Sequence, residues 1–365
     1  VTEVHEASAD RIEPEEPLSY LSTSPWQIMT FEAENTAKQA ILAESFKREG
    51  LKDVSWSDFY AGDHMYSYRN KMEMGFWGDD NGLHLAHYVR GTHGKQQVEG
   101  SQLAMPCIND AMCAIRDELR RLDIWGGKLK TVVVRASQDE TCVAALFMKE
   151  ELDMSEFRLP EGLKGLDIYY SNPKSPASVP TKKLYSFGDI TLTDSIMGTN
   201  ITYDVMSFFQ VNLPVFEAAL GRIDYFGGGS PKVDMYSGVG TIGIPVGMTE
   251  VLVESDSANI AMARQNVGDL PIEVVQATSE TALEYIDSNR TLIVDPPRAG
   301  LHDDIVKQIL TKKPPQVIYL SCNPSTQARD VALLQDAYKI RAAEGYNFFP
   351  RTPHIESLVV LELKS

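Results

Sequence analysis

The stretch Val233-Asp234-Met235-Tyr236-Ser237-Gly238-Val239-Gly240-Thr241-Ile242-Gly243 decides how the second half of the chain folds. An apolar, strand-like run there passes into a glycine-rich strand-to-helix loop, and glycines at such a loop let backbone approach a ligand closely. In dinucleotide-type units an acid stands about 20 residues further on, where it meets a ribose. Glu254 fills that place, closing the next strand, Glu250-Val251-Leu252-Val253. Such loops occur in many α/β proteins and this one lacks a Walker lysine, so its meaning depends on the segments C-terminal to it.

Those segments alternate regularly between strand and helix patterns. Seven strands are predicted from Val211 onward, beginning near Val233, Val251, Ile272, Leu292, Val317, Ile340 and Leu358, as in a doubly wound sheet. Two of them end in reactive side chains. Leu292-Ile293-Val294 leads into Asp295-Pro296-Pro297-Arg298-Ala299-Gly300-Leu301, an acid before a stiff double-proline turn. Val317-Ile318-Tyr319-Leu320 leads into Ser321-Cys322-Asn323-Pro324, a thiol before a turn signal, with Ser325 read as the cap of the next helix. The carboxyl edge of an open α/β sheet is where ligands bind. A thiol at that edge reads as a nucleophile, although a lone cysteine is more often a core residue.

In this order the segments resemble the 5-methyluridine methyltransferases, S-adenosylmethionine-dependent enzymes that methylate carbon 5 of uracil in transfer or ribosomal RNA. The resemblance rests on Phe208-Phe209-Gln210-Val211-Asn212, the glycine loop, Asp295-Pro296-Pro297-Arg298, Ser321-Cys322-Asn323-Pro324 and Phe349-Pro350-Arg351-Thr352-Pro353-His354-Ile355-Glu356. It extends to Tyr68-Arg69-Asn70-Lys71 and Pro25-Trp26-Gln27. It implies a Rossmann-like methyltransferase domain, with Cys322 adding to carbon 6 of the base and Glu356 removing the carbon 5 proton. The cofactor would meet Gln210, Tyr236, Gly238, Gly240, Thr241, Glu254 and Asp295. Arg69, Lys71 and Arg298 would meet RNA. Phe208 and Phe209 read as packing residues rather than stacking platforms.

Many relatives carry an iron-sulfur cluster on four cysteines, two of them in a C-x-x-C just before the segment matching Pro25-Trp26-Gln27. Here those two positions are Leu21 and Ser24, and a further ligand would align near Ser101, so no cluster and no metal are expected. The four cysteines, Cys107, Cys113, Cys142 and Cys322, are also too few for a disulfide framework in 365 residues.

A formal charge of −17 runs against RNA binding through bulk electrostatics. Part of the excess sits near the start, where Glu3, Glu6, Asp10, Glu13, Glu15 and Glu16 face only Arg11. Local basic groups remain, among them the pairs Arg69 with Lys71, Arg90 with Lys95, and Lys182 with Lys183. A loop uridine recognised by shape and base contacts fits this balance better than a long phosphate grip.

The expected organisation is an acidic, disordered or extended segment over 1–24, an N-terminal helix within 25–53, a smaller α/β RNA-recognition domain over 54–190 and the methyltransferase domain over 191–365. With no apolar stretch of membrane length and no secretion signal, a cytoplasmic monomer is expected. Two other classes compete with the uracil methyltransferase. One is an amino-group methyltransferase, since aspartate-proline-proline suits an exocyclic amine. The other is an RNA-folding or scaffold protein with vestigial methylation machinery.

Overall fold

A computed structural model describes residue 6 and residues 8–92, 94–175 and 177–365 of the chain. Residues 1–5 and 7, which include Glu3 of the acidic segment, lie outside the described residues. The chain divides into two compact units, one formed by 1–30, 64–194 and 204–206, the other by 31–63, 195–203 and 207–365.

The first unit begins with a short helix, α1 (Tyr20–Thr23), and α2 (Phe31–Arg48) then opens the second unit. Back in the first unit the strands β1 (Lys71–Asp79), β2 (Gly82–Tyr88) and β3 (Lys95–Val98) precede α3 (Pro106–Arg121). The strands β4 (Leu129–Ala136), β5 (Cys142–Met148), β6 (Leu163–Tyr170) and β7 (Lys182–Gly188) complete one seven-stranded sheet, ordered 3-2-1-4-5-6-7. Only β5 and β6 run parallel in it. The apolar stripe of α3, including Ile108, Met112, Ile115 and Leu119, packs on the Met72, Val132, Val134, Ala144 and Leu146 face of that sheet. The chain then runs through a two-stranded hairpin, β8 (Thr191–Ile196) and β9 (Thr199–Asp204).

The second unit contains α4 (Leu213–Gly227), β10 (Lys232–Met235), β11 (Thr249–Glu254), α5 (Ser257–Val267), β12 (Glu273–Gln276), β13 (Thr291–Val294), α6 (Asp303–Lys312), β14 (Gln316–Ser321), α7 (Pro324–Leu334), β15 (Tyr338–Tyr346) and β16 (Glu356–Leu363). All seven strands expected from the sequence are there. They form a sheet ordered 12-11-10-13-14-16-15, parallel through β14, with β16 antiparallel between β14 and β15. Runs such as Leu292-Ile293-Val294 and Val317-Ile318-Tyr319-Leu320 are fully buried, as strands covered on both faces should be. Helix α2 belongs to this unit, where Phe46 joins the same core and meets Trp56 edge-on, ring centroids 5.0 Å apart. Trp56 and Tyr60 bridge to Ala343 and Tyr346, so the β15 edge of the sheet is covered rather than exposed.

Two local expectations are corrected. The glycine loop does not start a helix, because residues 238–246 wind as turns. Pro245 has no N–H to give, and Gly240 and Gly243 are weak helix formers. The cap of α7 is Asn323, whose side chain accepts the Ser325 N–H at 3.2 Å, and not Ser325 itself. Pro324 then occupies the first helical turn, where a missing N–H costs nothing. Among the described residues no helix is long and apolar enough to cross a membrane.

Candidate active site

Strand order brings the chemistry together. Because β16 runs antiparallel to β14, with Leu320 opposite Leu358 and Ser321 opposite Ser357, the next step of the ladder sets Cys322 beside Glu356. Parallel pairing of β13 with β14 leaves Asp295, the residue after Val294, at the same edge. The loop after β13 is locked to the start of α7. Asn323 Nδ2 donates to the Arg298 carbonyl at 2.8 Å, and Thr326 Oγ1 donates to it at 3.2 Å. Further along, Asp330 accepts the Leu301 N–H and the Tyr319 hydroxyl, each at 2.8 Å. Gly300 has φ +81°, and a side chain there would meet Asp330 Oδ2 at 2.5 Å.

Electrostatics sharpen the picture. Cys322 is half-buried, and its thiol is pushed up to about 11, by burial first and then by the charges of Glu356 and Asp295. Arg298 pulls the other way, through its charge and a hydrogen bond to the sulfur. The Arg298 guanidinium also lies 3.1 Å from His354 Nδ1. Glu356 is buried, 3% exposed, and its carboxyl is raised well above the usual range by burial and by Asp295, against the pull of Arg298. Burial lifts Asp295 to about 7. The Cys322 thiol and the Glu356 carboxyl thus share one guanidinium, with Asp295 acting on both, an arrangement that favours keeping a proton among them.

The glycine loop forms the neighbouring half. Glu254 Oε2 accepts the Gly238 N–H at 2.9 Å, while Oε1 accepts the Ser255 and Asp256 N–H groups, each at 2.7 Å. Asp256 then caps α5. Gly238 and Gly240 hold positive φ, +56° and +91°, which a side chain would strain. Tyr236 takes φ +68° without being a glycine, so backbone strain sits where β10 ends. Thr241 is buried. Gln210 is buried ahead of α4, and Phe208 reaches the loop, its ring 3.8 Å from where a Gly238 Cβ would stand.

Phe209 is the packing residue expected, stacked on Tyr203 at 3.7 Å between centroids. Phe208 is not, for it is 60% exposed. Sequence reasoning misses Asp234, which lies under the loop and is wholly buried. Its Oδ2 accepts the Gly243 N–H at 2.8 Å, its Oδ1 meets no partner, and burial, Asp295 and Glu254 lift it to about 8. A lone acid inside Val233-Asp234-Met235 is the available signal, since apolar strands rarely bury a carboxyl without a reason. Ser237 Oγ is a second buried polar atom without a partner at the same loop.

Arg69 and Lys71 belong to the first unit. Lys71 stands opposite Arg135 across β1 and β4, and burial together with that neighbour lowers its ammonium to about 8. Arg69 Nε is buried without a partner. Of the positions where the resemblance would place cluster cysteines, Ser24 is buried and receives a hydrogen bond from Gln27 at 2.6 Å.

The sequence model of a family described as tRNA (Uracil-5-)-methyltransferase matches residues 254–364. Over residues 254–364 the chain is similar to this family of RNA uracil-5-methyltransferases. A Lactiplantibacillus plantarum protein named as an uncharacterized RNA methyltransferase is 28% identical, over 99% of this chain and 86% of its own length. The tRNA (uracil(54)-C(5))-methyltransferase of Pyrococcus horikoshii is 31% identical, over 67% of this chain and 61% of its own length. In fold the chain is similar to the Pyrococcus abyssi tRNA (uracil-54, C5)-methyltransferase, solved with S-adenosyl-L-homocysteine. That match has a TM-score of 0.80 at 23% identity and covers 98% of this chain and 88% of the other. The matched segment carries Glu254, Asp295, Arg298, Cys322 and Glu356.

Proposed function

We propose that this protein methylates carbon 5 of a uridine in RNA, with Cys322 as nucleophile and Glu356 as base. The observation that carries the reading is the Cys322–Glu356 juxtaposition at the sheet's carboxyl edge, with Asp295 and Arg298 beside it. S-adenosylmethionine supplies an electrophilic methyl group. The donor set suits it: glycines that admit a close backbone approach, a Glu254 Oε2 with lone-pair capacity left for a ribose hydroxyl, and two unsatisfied buried oxygens at the loop. Gln210, Tyr236 and Thr241 complete the cofactor's surroundings in this reading.

Carbon 5 of uracil is a weak nucleophile until carbon 6 is attacked. With its thiol near 11, Cys322 holds only about one part in 10⁴ as thiolate at pH 7, so the hydrogen bond from Arg298 serves to stabilise that minority form. Addition of the sulfur to carbon 6 breaks the 5,6 double bond and places enolate character on carbon 5, which takes up the methyl group. Glu356 then removes the carbon 5 proton. Its raised affinity for protons suits that task. Elimination expels the thiolate and restores the ring.

Arg69, Lys71 and Arg298 would contact the RNA, and the target must leave its stack to reach Cys322. Because the matched family and the Pyrococcus relatives are named for transfer RNA, its loop uridines are the first substrates to test. The decisive experiment uses RNA containing 5-fluorouridine, whose carbon 5 bears no removable proton. Wild-type protein with cofactor should form a denaturation-resistant protein–RNA adduct, and Cys322→Ala should form none. Equal behaviour of the two proteins would overturn the mechanism.

A further inference from the structure

A second cluster of buried charges lies on the N-terminal helix of the same unit. Glu34 and Lys38, one turn apart on α2, are both 0% exposed and meet at 2.9 Å. Neither partner is satisfied by its own helix alone. Lys38 Nζ donates to Asn347 Oδ1 at 2.6 Å and to the Phe349 carbonyl at 3.0 Å, across 309 and 311 residues of sequence. Glu34 accepts from Asn347 Nδ2 at 2.9 Å, and its two oxygens take the Arg351 N–H at 2.9 and 3.1 Å. The Arg351 guanidinium lies 3.5 Å from Glu34 Oε2 and over the Phe31 ring, 5.5 Å from its centroid.

These groups hold a strained turn. Arg351 takes φ +65°, a left-handed conformation that strains a residue with a Cβ and persists only where its surroundings enforce it. Glu34 enforces it by accepting that residue's own N–H. Three residues on stands His354, on the Arg298 guanidinium, and five residues on Glu356 begins β16. A buried ion pair is a poor source of stability but a good source of unique geometry, because its charges tolerate one arrangement only.

We propose that Glu34 and Lys38 are positioning residues for the proton-transfer step, clamping the turn at Arg351 so that His354 and Glu356 are held against Arg298 and Cys322. The inference rests on the function proposed above and assigns that reaction a control point on the first helix of the unit. It separates the reaction into two parts: addition of the sulfur depends on the β14 edge, while proton removal depends on the turn that α2 holds.

Full-length wild type, Lys38→Met, Glu34→Gln, Arg351→Gly and Arg351→Ala should be assayed on an unmodified transfer RNA transcript and on its 5-fluorouridine counterpart. In Lys38→Met and Glu34→Gln, turnover should fall roughly ten- to a hundredfold with KM within about twofold, the cost expected of a base displaced by about 1 Å. Adduct formation on the fluorinated RNA, which needs no proton removal, should keep its wild-type rate. On ordinary RNA the covalent intermediate should accumulate in these variants and not in wild type. Both Arg351 variants lose the guanidinium, yet glycine accepts the positive φ and alanine does not, so Arg351→Gly should turn over faster than Arg351→Ala. Loss of adduct formation in parallel with turnover, or turnover at the wild-type rate, would overturn the proposal. A wild type that forms no fluorouridine adduct would instead remove the reaction on which it stands.

Discussion

Two groups of buried charge in the same unit are built in opposite ways. Around Cys322 the acids Asp234, Asp295 and Glu356 are each driven upward by burial, and Arg298 is the cation set against the Glu356–Cys322 pair. Around α2, Glu34 is met by the Lys38 ammonium, the Arg351 backbone and guanidinium, and the Asn347 amide. The first group is left frustrated and therefore reactive, since protons and charge can move there at little cost. The second is satisfied and therefore fixed. Strongly shifted groups in a cleft mark chemistry, whereas charges that close on one another mark geometry.

The largest effect should come from removing the proposed base. Glu356→Gln should lower methylation by roughly 10²–10⁴-fold, the usual worth of a general base, as read by methyl incorporation into RNA. A variant that keeps its activity would assign proton removal elsewhere and break the contrast at its reactive end.

Next in size is the satisfied cluster. Lys38→Met takes the nearest cation from the buried Glu34 and should cost about 3–5 kcal/mol of stability in urea unfolding, while Glu34→Leu combined with Lys38→Met should cost more, because it also deprives the buried Arg351 guanidinium and N–H of their carboxylate. If the double variant is as stable as the single one, Glu34 does not hold the turn as the geometry describes.

The smallest effect is a slope with pH. Asp234 holds its proton to about 8 in the folded chain, against 3.8 as its ordinary value. Between those values the folded state binds more protons than the unfolded one, so stability due to this group is present at low pH and falls as pH rises through about 8. The loss should approach about 1.4 kcal/mol per pH unit, for instance between pH 6 and pH 7. Asp234→Asn removes this contribution. Its stability relative to wild type should therefore rise with pH in parallel unfolding curves, and a constant difference would mean that Asp234 is charged throughout.

Much of this is legible from sequence for a definite reason. A strand buried on both faces must be apolar along its length, so the runs ending at Val294 and Leu320 stand out, and with them the side chains at their ends, Asp295 and Cys322. Glu356 is reached only through resemblance, because nothing local says that the last strand inserts antiparallel between β14 and β15. The turns after Gly240 escape a sequence reading because a helix is the usual sequel to such a loop, and only Pro245 speaks against one. Phe208 and Phe209 are chemically alike and adjacent, yet one is exposed and one stacked, a distinction set by the loop's path. Glu34 and Lys38 look like ordinary charges on an amphipathic helix. Their partners lie more than 300 residues along the chain, beyond the reach of any local pattern.

The place of β16 in the sheet carries one last consequence. Side chains alternate between the two sides of a strand, so sliding β16 by a single residue along β14 would swing Glu356 onto the face opposite Cys322. The distance between sulfur and carboxylate is accordingly quantised: the chain can have the pair engaged or lose it altogether, with no graded misalignment available from strand pairing itself.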